Sequence, residues 1–368
     1  MNFLLSLLFL ACIWDEDTVD DEIRGVPSAE VLITNRWFRH DDTLYRLRVE
    51  KLSKKTDLSL EEFDNLAMAY ERLGERERAL EILELKREAL KSMPDSDQQY
   101  RYHANRGTVL AHMGDYDEAI SELEKAIEIN PDAHFGREKY QILAIRYVRG
   151  AKANPELWSE HNFLSYAGFD LESSDHGAVQ SYHGRPRGRT PLNPEEVHEA
   201  VGGMLRFGGQ EGAELYRTFG DVLAYQGHKT LAWWFYQYAL KKGHPATGEL
   251  EAAIGAVQQN WEAADFKDLP TQADFDAIYE NGQRWLKWLH ALERSLNRNG
   301  TFTSSPELIE GLVSQANEAV PPLDLITSKP VKVYHPNPIA NAVIFVATCG
   351  LLLIILVVRF IYKVSRWK

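Results

Sequence analysis

The chain has 368 residues, 44% hydrophobic and 26% charged, enough to bury a core in roughly one to three folded units and inconsistent with disorder throughout. Its formal net charge of -13 removes the concentrated positive field that a general nucleic-acid binder needs. The only cysteines, Cys12 and Cys349, sit in apolar runs near the two ends, which excludes a disulfide within the body and a cysteine-rich zinc site.

Residues 1–14, "MNFLLSLLFLACIW", form an apolar run placed where a signal peptide belongs and too short to span a membrane. Within it "FLAC" resembles a bacterial lipoprotein box, with Phe9 where leucine is usual. Cleavage there would leave Cys12 as a lipidated N-terminus, and ordinary signal cleavage is the other reading.

Residues 15–170 read as a helical region. In "DDTLYRLRVEKLSKK", residues 41–55, Leu44, Leu47, Val49 and Leu52 outline a leading helix. Ser59 with Glu62 forms a capping box, and Leu58 and Phe63 occupy staple positions, so a helix starts there. Phe63, Leu66, Ala67 and Tyr70 fall at helical spacing, Gly74 stops the helix, and Ala79, Leu80 and Leu83 stripe a second one. "GDYDEAISELEKAIEINP", residues 114–131, has the same rhythm. Asp115 is expected to cap and Glu118 to close the box, with Ala119, Leu123, Ala126 and Ile127 facing inward. The segment 132–151 reads as a further helix capping this pair.

Residues 171–193, "LESSDHGAVQSYHGRPRGRTPLN", interrupt the helices. Arg185, Arg187 and Arg189 could bind an anionic peptide, phosphate or headgroup, the alternative being a solvated loop. His176 and His183 with Glu172 or Asp175 lack a spacing that fixes them on one face, so no metal is expected. A second helical region covers residues 194–319. "FGGQEG", residues 207–212, reads as a helix-helix turn because no strand precedes it. Trp233, Trp234, Tyr236 and Tyr238 crowd one helix, so Trp233 or Tyr238 either anchors a ligand or is buried under the later helix bearing Trp285. That later helix opens at Thr271 and Asp274, with Phe275, Ile278, Tyr279, Trp285, Leu286, Leu289 and Leu292 as its apolar stripe. Ser305 and Pro306 begin a last helix toward Ala319. Asn299-Gly300-Thr301 fits a glycosylation acceptor if the host is a eukaryote.

Residues 320–338 carry Pro321, Pro322, Pro330, Pro336 and Pro338 and read as an extended stalk with a reach on the order of 50 Å. Residues 339–358 contain no charge over about 20 positions, the length a helix needs to cross a hydrocarbon core. The tail 359–368 holds Arg359, Lys363, Arg366 and Lys368 without an acid. The expectation is therefore a single-pass protein of the cell membrane, its body exported and its C-terminus cytoplasmic.

Three segments resemble the tetratricopeptide repeat family, whose pattern sets a small residue midway in the first helix of a pair and two alanines in the second. One copy is carried by Gly107, Leu110, Gly114, Tyr116, Ala119, Leu123, Ala126 and Pro131. A second has Ala67, Tyr70, Gly74, Ala79 and Leu83 but Lys86 at the second alanine; these two cover about residues 60–131. A third, about residues 213–245, has Gly220, Leu223, Gly227, Ala232, Tyr236 and Ala239, with His244 in place of the closing proline. The resemblance implies an all-α, irregular helix-turn-helix solenoid that binds proteins or peptides, without cofactor, metal or catalytic role. No nucleophile motif, phosphate-cradling loop or zinc-protease helix appears in the sequence. The rival expectations are a structural subunit of a membrane or envelope complex, and a hydrolase-type enzyme with its site in the 171–193 loop.

Overall fold

The structure, a computed structural model, describes residue 15 and residues 28–131, 133–171, 190–191, 193–207, 212–259, 269–298 and 305–324. They belong to one compact unit, Met1–Lys329. The expected signal segment with Cys12, the three loop arginines, the loop histidines, residues 208–211 of the 207–212 turn, the glycosylation triplet, the stalk beyond residue 324, the expected span and the basic tail lie outside the described residues. Among the described residues no helix is long and apolar enough to cross a membrane.

Helices account for most of the described residues. In chain order they are α1 (Ala29–Thr34), α2 (Asp42–Leu52), α3 (Leu60–Arg72), α4 (Arg76–Ser92), α5 (Ser96–Met113), α6 (Tyr116–Ile129) and, after a 3-10 turn at Ala133–Gly136, α7 (Arg137–Ala153). The short α8 (Leu157–Glu160) and α9 (Phe163–Tyr166) precede a two-residue parallel pairing of β1 (Phe169–Asp170) with β2 (Thr190–Pro191), which joins the two ends of the 171–193 loop. Then come α10 (Pro194–Phe207), α11 (Ala213–Tyr225), α12 (Lys229–Lys241), α13 (Thr247–Gln259), α14 (Gln272–Arg298) and α15 (Pro306–Ala319).

The helix starts follow local chemistry. Ser59 accepts the Glu62 N–H while Glu62 reaches back to the Ser59 N–H at 3.1 Å, a reciprocal capping box. Thr271 and Asp274 form the same exchange at the head of α14, and Ser305 caps α15 ahead of Pro306. Asp115 departs from expectation: it occupies the N-cap of α6, but its side chain makes no capping bond. The reason lies in the preceding turn. Gly114, at φ 92°, ends α5 with its N–H on Ala111 O while the Asp115 N–H returns to Leu110 O at 3.0 Å. Asp115 is thereby drawn to φ -84°, ψ 62°, away from the extended geometry that aims a capping carboxylate at the next amides. The same pair of turn bonds recurs at Gly74 with Glu75 and at Gly227 with His228, so the three helix pairs share one corner.

Within each pair the contact is set by side-chain size. A Cβ on Gly107 would lie 2.7 Å from Leu123 Cγ and 3.1 Å from Ala119 O; on Gly220 it would lie 2.7 Å from the Tyr236 ring and 3.4 Å from Ala232 O. The α5–α6 and α11–α12 crossings therefore use the same positions, with Tyr236 replacing Leu123. Ala67, Ala79, Ala119, Ala126, Ala232 and Ala239 are all fully buried, as this nesting requires.

One apolar cluster runs from Ala29 to Ile278 and unites the two helical regions. Its centre is α12, where Trp233, Trp234, Phe235, Tyr236 and Tyr238 are all buried, because α11, α13, α1 and α14 surround the helix. The N-terminal α1 supplies a contact with no counterpart in the sequence expectation. It docks on α10, α12 and α14, and Gly282 of α14 gives it room, since a Cβ there would lie 2.5 Å from Thr34 O.

Replacing Gly107 or Gly220 by Val forces the crossing apart. Each variant is expected to lose about 1–3 kcal/mol, read as a lowered chemical-denaturation midpoint. The loss should be larger at Gly220, where a ring and not a flexible leucine must yield.

Candidate functional site

Buried polar contacts join the second helix pair to the helices stacked on either side of it. Asn105 of α5 donates to Asp64 of α3 at 3.1 Å, and His112 of α5 meets Glu71 of α3 at 2.6 Å, both across 41 positions of sequence. Onward, Tyr100 donates to Glu138 and Gln141 to Thr108, tying α7 to α5. These groups are buried, so each contact offsets the cost of removing its partner from water.

Lys86 shows the physical reason for the irregular position in the first pair. It stands where the other pairs have Ala126 and Ala239, yet its side chain is fully buried, 2.5 Å from Asp64 and 2.8 Å from Gln98. Gln98 in turn donates to Glu61. Burial pushes the Asp64 carboxyl up to about 6 and draws the Lys86 ammonium down, each opposed by the other's charge. An alanine position has become a polar joint between α3, α4 and α5.

Glu122 organises a second joint. His103 lies at 2.7 Å, Lys125 at 2.8 Å and Arg106 at 3.1 Å, and Arg106 also reaches Glu84 of α4 at 3.3 Å. Burial alone would raise the Glu122 carboxyl, but these donors and the Arg106 charge outweigh it and hold it at about 2.

Beside these joints a groove of about 390 Å³ opens between α6 and α7. Ile127, Leu143, Tyr140 and Phe169 make an apolar floor, with Tyr140 and Phe169 stacked 6.4 Å apart. Its rim charges pair with each other, Arg146 with Glu124 at 2.8 Å and Lys139 with Glu196 at 3.7 Å. Burial and the neighbouring Glu196 raise the Tyr140 hydroxyl above its ordinary value. Such a groove can seat an apolar side chain of another protein without leaving a rim charge unmatched.

A profile of the tetratricopeptide repeat matches α5 from Tyr100, all of α6 and the turn beyond. Residues 100–133 are a tetratricopeptide repeat. None of the curated proteins matches the chain. The repeat contains the copy carried by Gly107, Leu110, Gly114, Tyr116, Ala119, Leu123, Ala126 and Pro131. All of these except Gly114 and the exposed Pro131 are buried between α5 and its neighbours. The flanking copies reproduce its geometry at Ala67, Tyr70, Gly74, Ala79 and Leu83 and at Gly220, Gly227, Ala232 and Ala239.

The structure corrects the ligand-anchor reading of Trp233 and Tyr238. Trp233 is 1% exposed and packs edge-on against Trp234 and Phe275; Tyr238 is fully buried, stacks 5.0 Å from Tyr216 and donates to Ile33 O at 2.6 Å. Both meet Phe275 of the α14 helix, as the burial alternative had it, and Tyr238 is additionally held by α1.

His244, where the repeat has Pro131, accepts the Ala246 N–H at Nδ1, so the proton on its ring sits at Nε2 and is given to Glu214 at 2.8 Å. Glu214 also takes the Phe163 N–H, locking α9 to α11. Apart from the Glu122–Lys125 pair within α6, these joints do not follow from residue spacing, since they pair groups distant along the chain. The one visible trace was Lys86 itself, a charge on an apolar stripe. Among the described residues, no group of three or more histidine, cysteine or acidic side chains is arranged to hold a metal ion.

Two outcomes follow. Lys86→Ala should cost about 3–5 kcal/mol by stranding Asp64, and Lys86→Met with Asp64→Leu should recover most of that loss, as measured by denaturant unfolding. The Glu122 carboxyl is depressed on folding, so its stabilisation is complete above its ordinary value of 4.5 and is lost as pH falls toward about 2. Glu122→Gln should flatten that limb of the stability-pH curve.

Proposed function

We propose that the chain is a scaffold that recruits or organises other proteins through its helical-repeat body, held at a membrane by residues 339–358. The repeat at 100–133 carries this reading. Repeats of this kind generally act by presenting a stacked helical surface to protein partners, and here the repeat packs on one helix pair of the same construction, has another further along the chain, and is bordered by an apolar groove.

The membrane part rests on sequence. An uncharged run at 339–358 followed by a basic tail argues for a single span with the tail in the cytoplasm, and the apolar run at 1–14 argues for export of the body. A proline-dense stalk would set the body off the bilayer, which suits a receptor for something bulky.

Cross-linking in native membranes should capture protein partners, and Ile127→Glu with Leu143→Glu in the groove floor should reduce that capture while the fold persists. Exchange of 339–358 for an unrelated span should leave the partners in place; their loss would favour a subunit held through the membrane. Protease added to intact cells, with any outer envelope opened, should digest the body and spare the last residues. The reverse pattern would overturn the orientation.

A further inference from the structure

The last two helices build a second groove, remote in sequence from the repeat. α14 buries Trp285 and Leu289 against α15 and the segment around Phe38. Its adjoining face, with Arg284, Lys287 and Trp288 at spacings of three and four, borders an open space of about 780 Å³. The facing wall is the non-helical segment Pro321, Pro322 and Leu323.

This wall is fixed in place. Asn281 donates to Pro321 O at 3.0 Å; Arg36 donates to Val320 O at 2.6 Å, to Asn317 at 2.8 Å and to Asn281 at 2.6 Å; and the Trp285 indole N–H reaches Asn317 at 2.8 Å. Two successive prolines restrict the backbone further. The groove is thus held open before any ligand arrives, which lowers the ordering cost of binding.

Its chemistry is specific. Trp288 is 51% exposed, the most exposed large aromatic among the described residues, and Leu323 opposite is 36% exposed. Arg284 and Lys287 flank the indole, and neither pairs with a carboxylate among the described residues. In a chain with a net charge of -13, two cations beside an open indole with no carboxylate partner among the described residues offer a local site for an acidic group. From Arg284 to Trp288 the face spans about 6 Å along the helix, a length an extended segment crosses in about two residues.

We propose that this groove binds an acidic linear segment of a partner protein, its carboxylates on Arg284 and Lys287 and an aromatic or large aliphatic side chain against Trp288. The two-walled shape favours a peptide over a lipid surface, which meets a flat or convex face. The proposal rests on the reading of the chain as a recruiter of proteins, and it places a contact apart from the repeat.

The test is selection of a displayed library of random dodecapeptides on the full-length, detergent-solubilised chain. Enriched peptides should carry acidic residues beside an aromatic or large aliphatic one. A synthetic copy should lose roughly tenfold in affinity on Trp288→Ala, and as much on the Arg284→Glu, Lys287→Glu double variant. Both variants change exposed side chains, and unchanged thermal midpoints will show that they fold. Failure to enrich acidic peptides, or binding that ignores both variants, overturns the proposal. So does retention of short-chain phosphatidylglycerol that depends on Trp288 with no acidic peptide enriched, which would make the groove a headgroup site. Partners cross-linked through the repeat should persist in both variants, so loss of this contact leaves the recruiting role standing.

Discussion

The body depends on how closely two helices of a pair can approach. At Gly107 and Gly220 there is no room for even one added carbon, and the facing residues, Leu123 and Tyr236, fill the space a side chain would take. Dispersion contacts fall off within a fraction of an ångström, so an approach this close is needed for the larger apolar groups nearby to reach full contact. The buried alanines at 79, 119, 126, 232 and 239 extend that condition along each crossing. Once two helices nest this way, each pair leaves an apolar flank, and stacking the next pair covers it.

Stacking by apolar contact alone would let neighbouring pairs slide. The buried polar joints restrict that freedom: Lys86 with Gln98, Asn105 with Asp64, His112 with Glu71, and Tyr100 with Glu138 each link one helix pair to the next helix of the stack at one register. A buried polar group is costly without its partner, so each joint penalises the wrong alignment more than it adds to the right one. The Lys86 joint shows how the first pair tolerates a departure from the small-residue pattern. The ammonium fills the volume between α3, α4 and α5 and is compensated by its bonds to Asp64 and Gln98, so the stack stays continuous.

Closure of the body comes from its N-terminal end. α1 and the segment after it lie across α10, α12 and α14, and Tyr238, Arg36, His40 and Asp41 connect them to helices more than 200 positions away. Asp41 serves both ends of this arrangement, capping α2 and pairing with Arg294 at 2.6 Å. The result is a helix, α12, enclosed on every side, and that enclosure is why its tryptophans are core residues and leave the surface to Trp288.

Much of this was legible in the residues. The Ser59–Glu62 box, the Thr271–Asp274 box, Ser305 before Pro306, and the stopping glycines at 74, 114 and 227 act within a few positions of themselves, so local order carries their meaning. The small residues at 107, 119 and 126 were readable for the same reason: helical periodicity puts them on one face whatever they meet. Asp115 was misread because its backbone belongs to the turn of the preceding helix. The occupied surroundings of Trp233 and Tyr238, the partner of Lys86 and the docking of α1 were decided only in the folded chain. Spacing says which residues share a face, and a face acquires its neighbour only when distant segments compete to cover the same apolar surface.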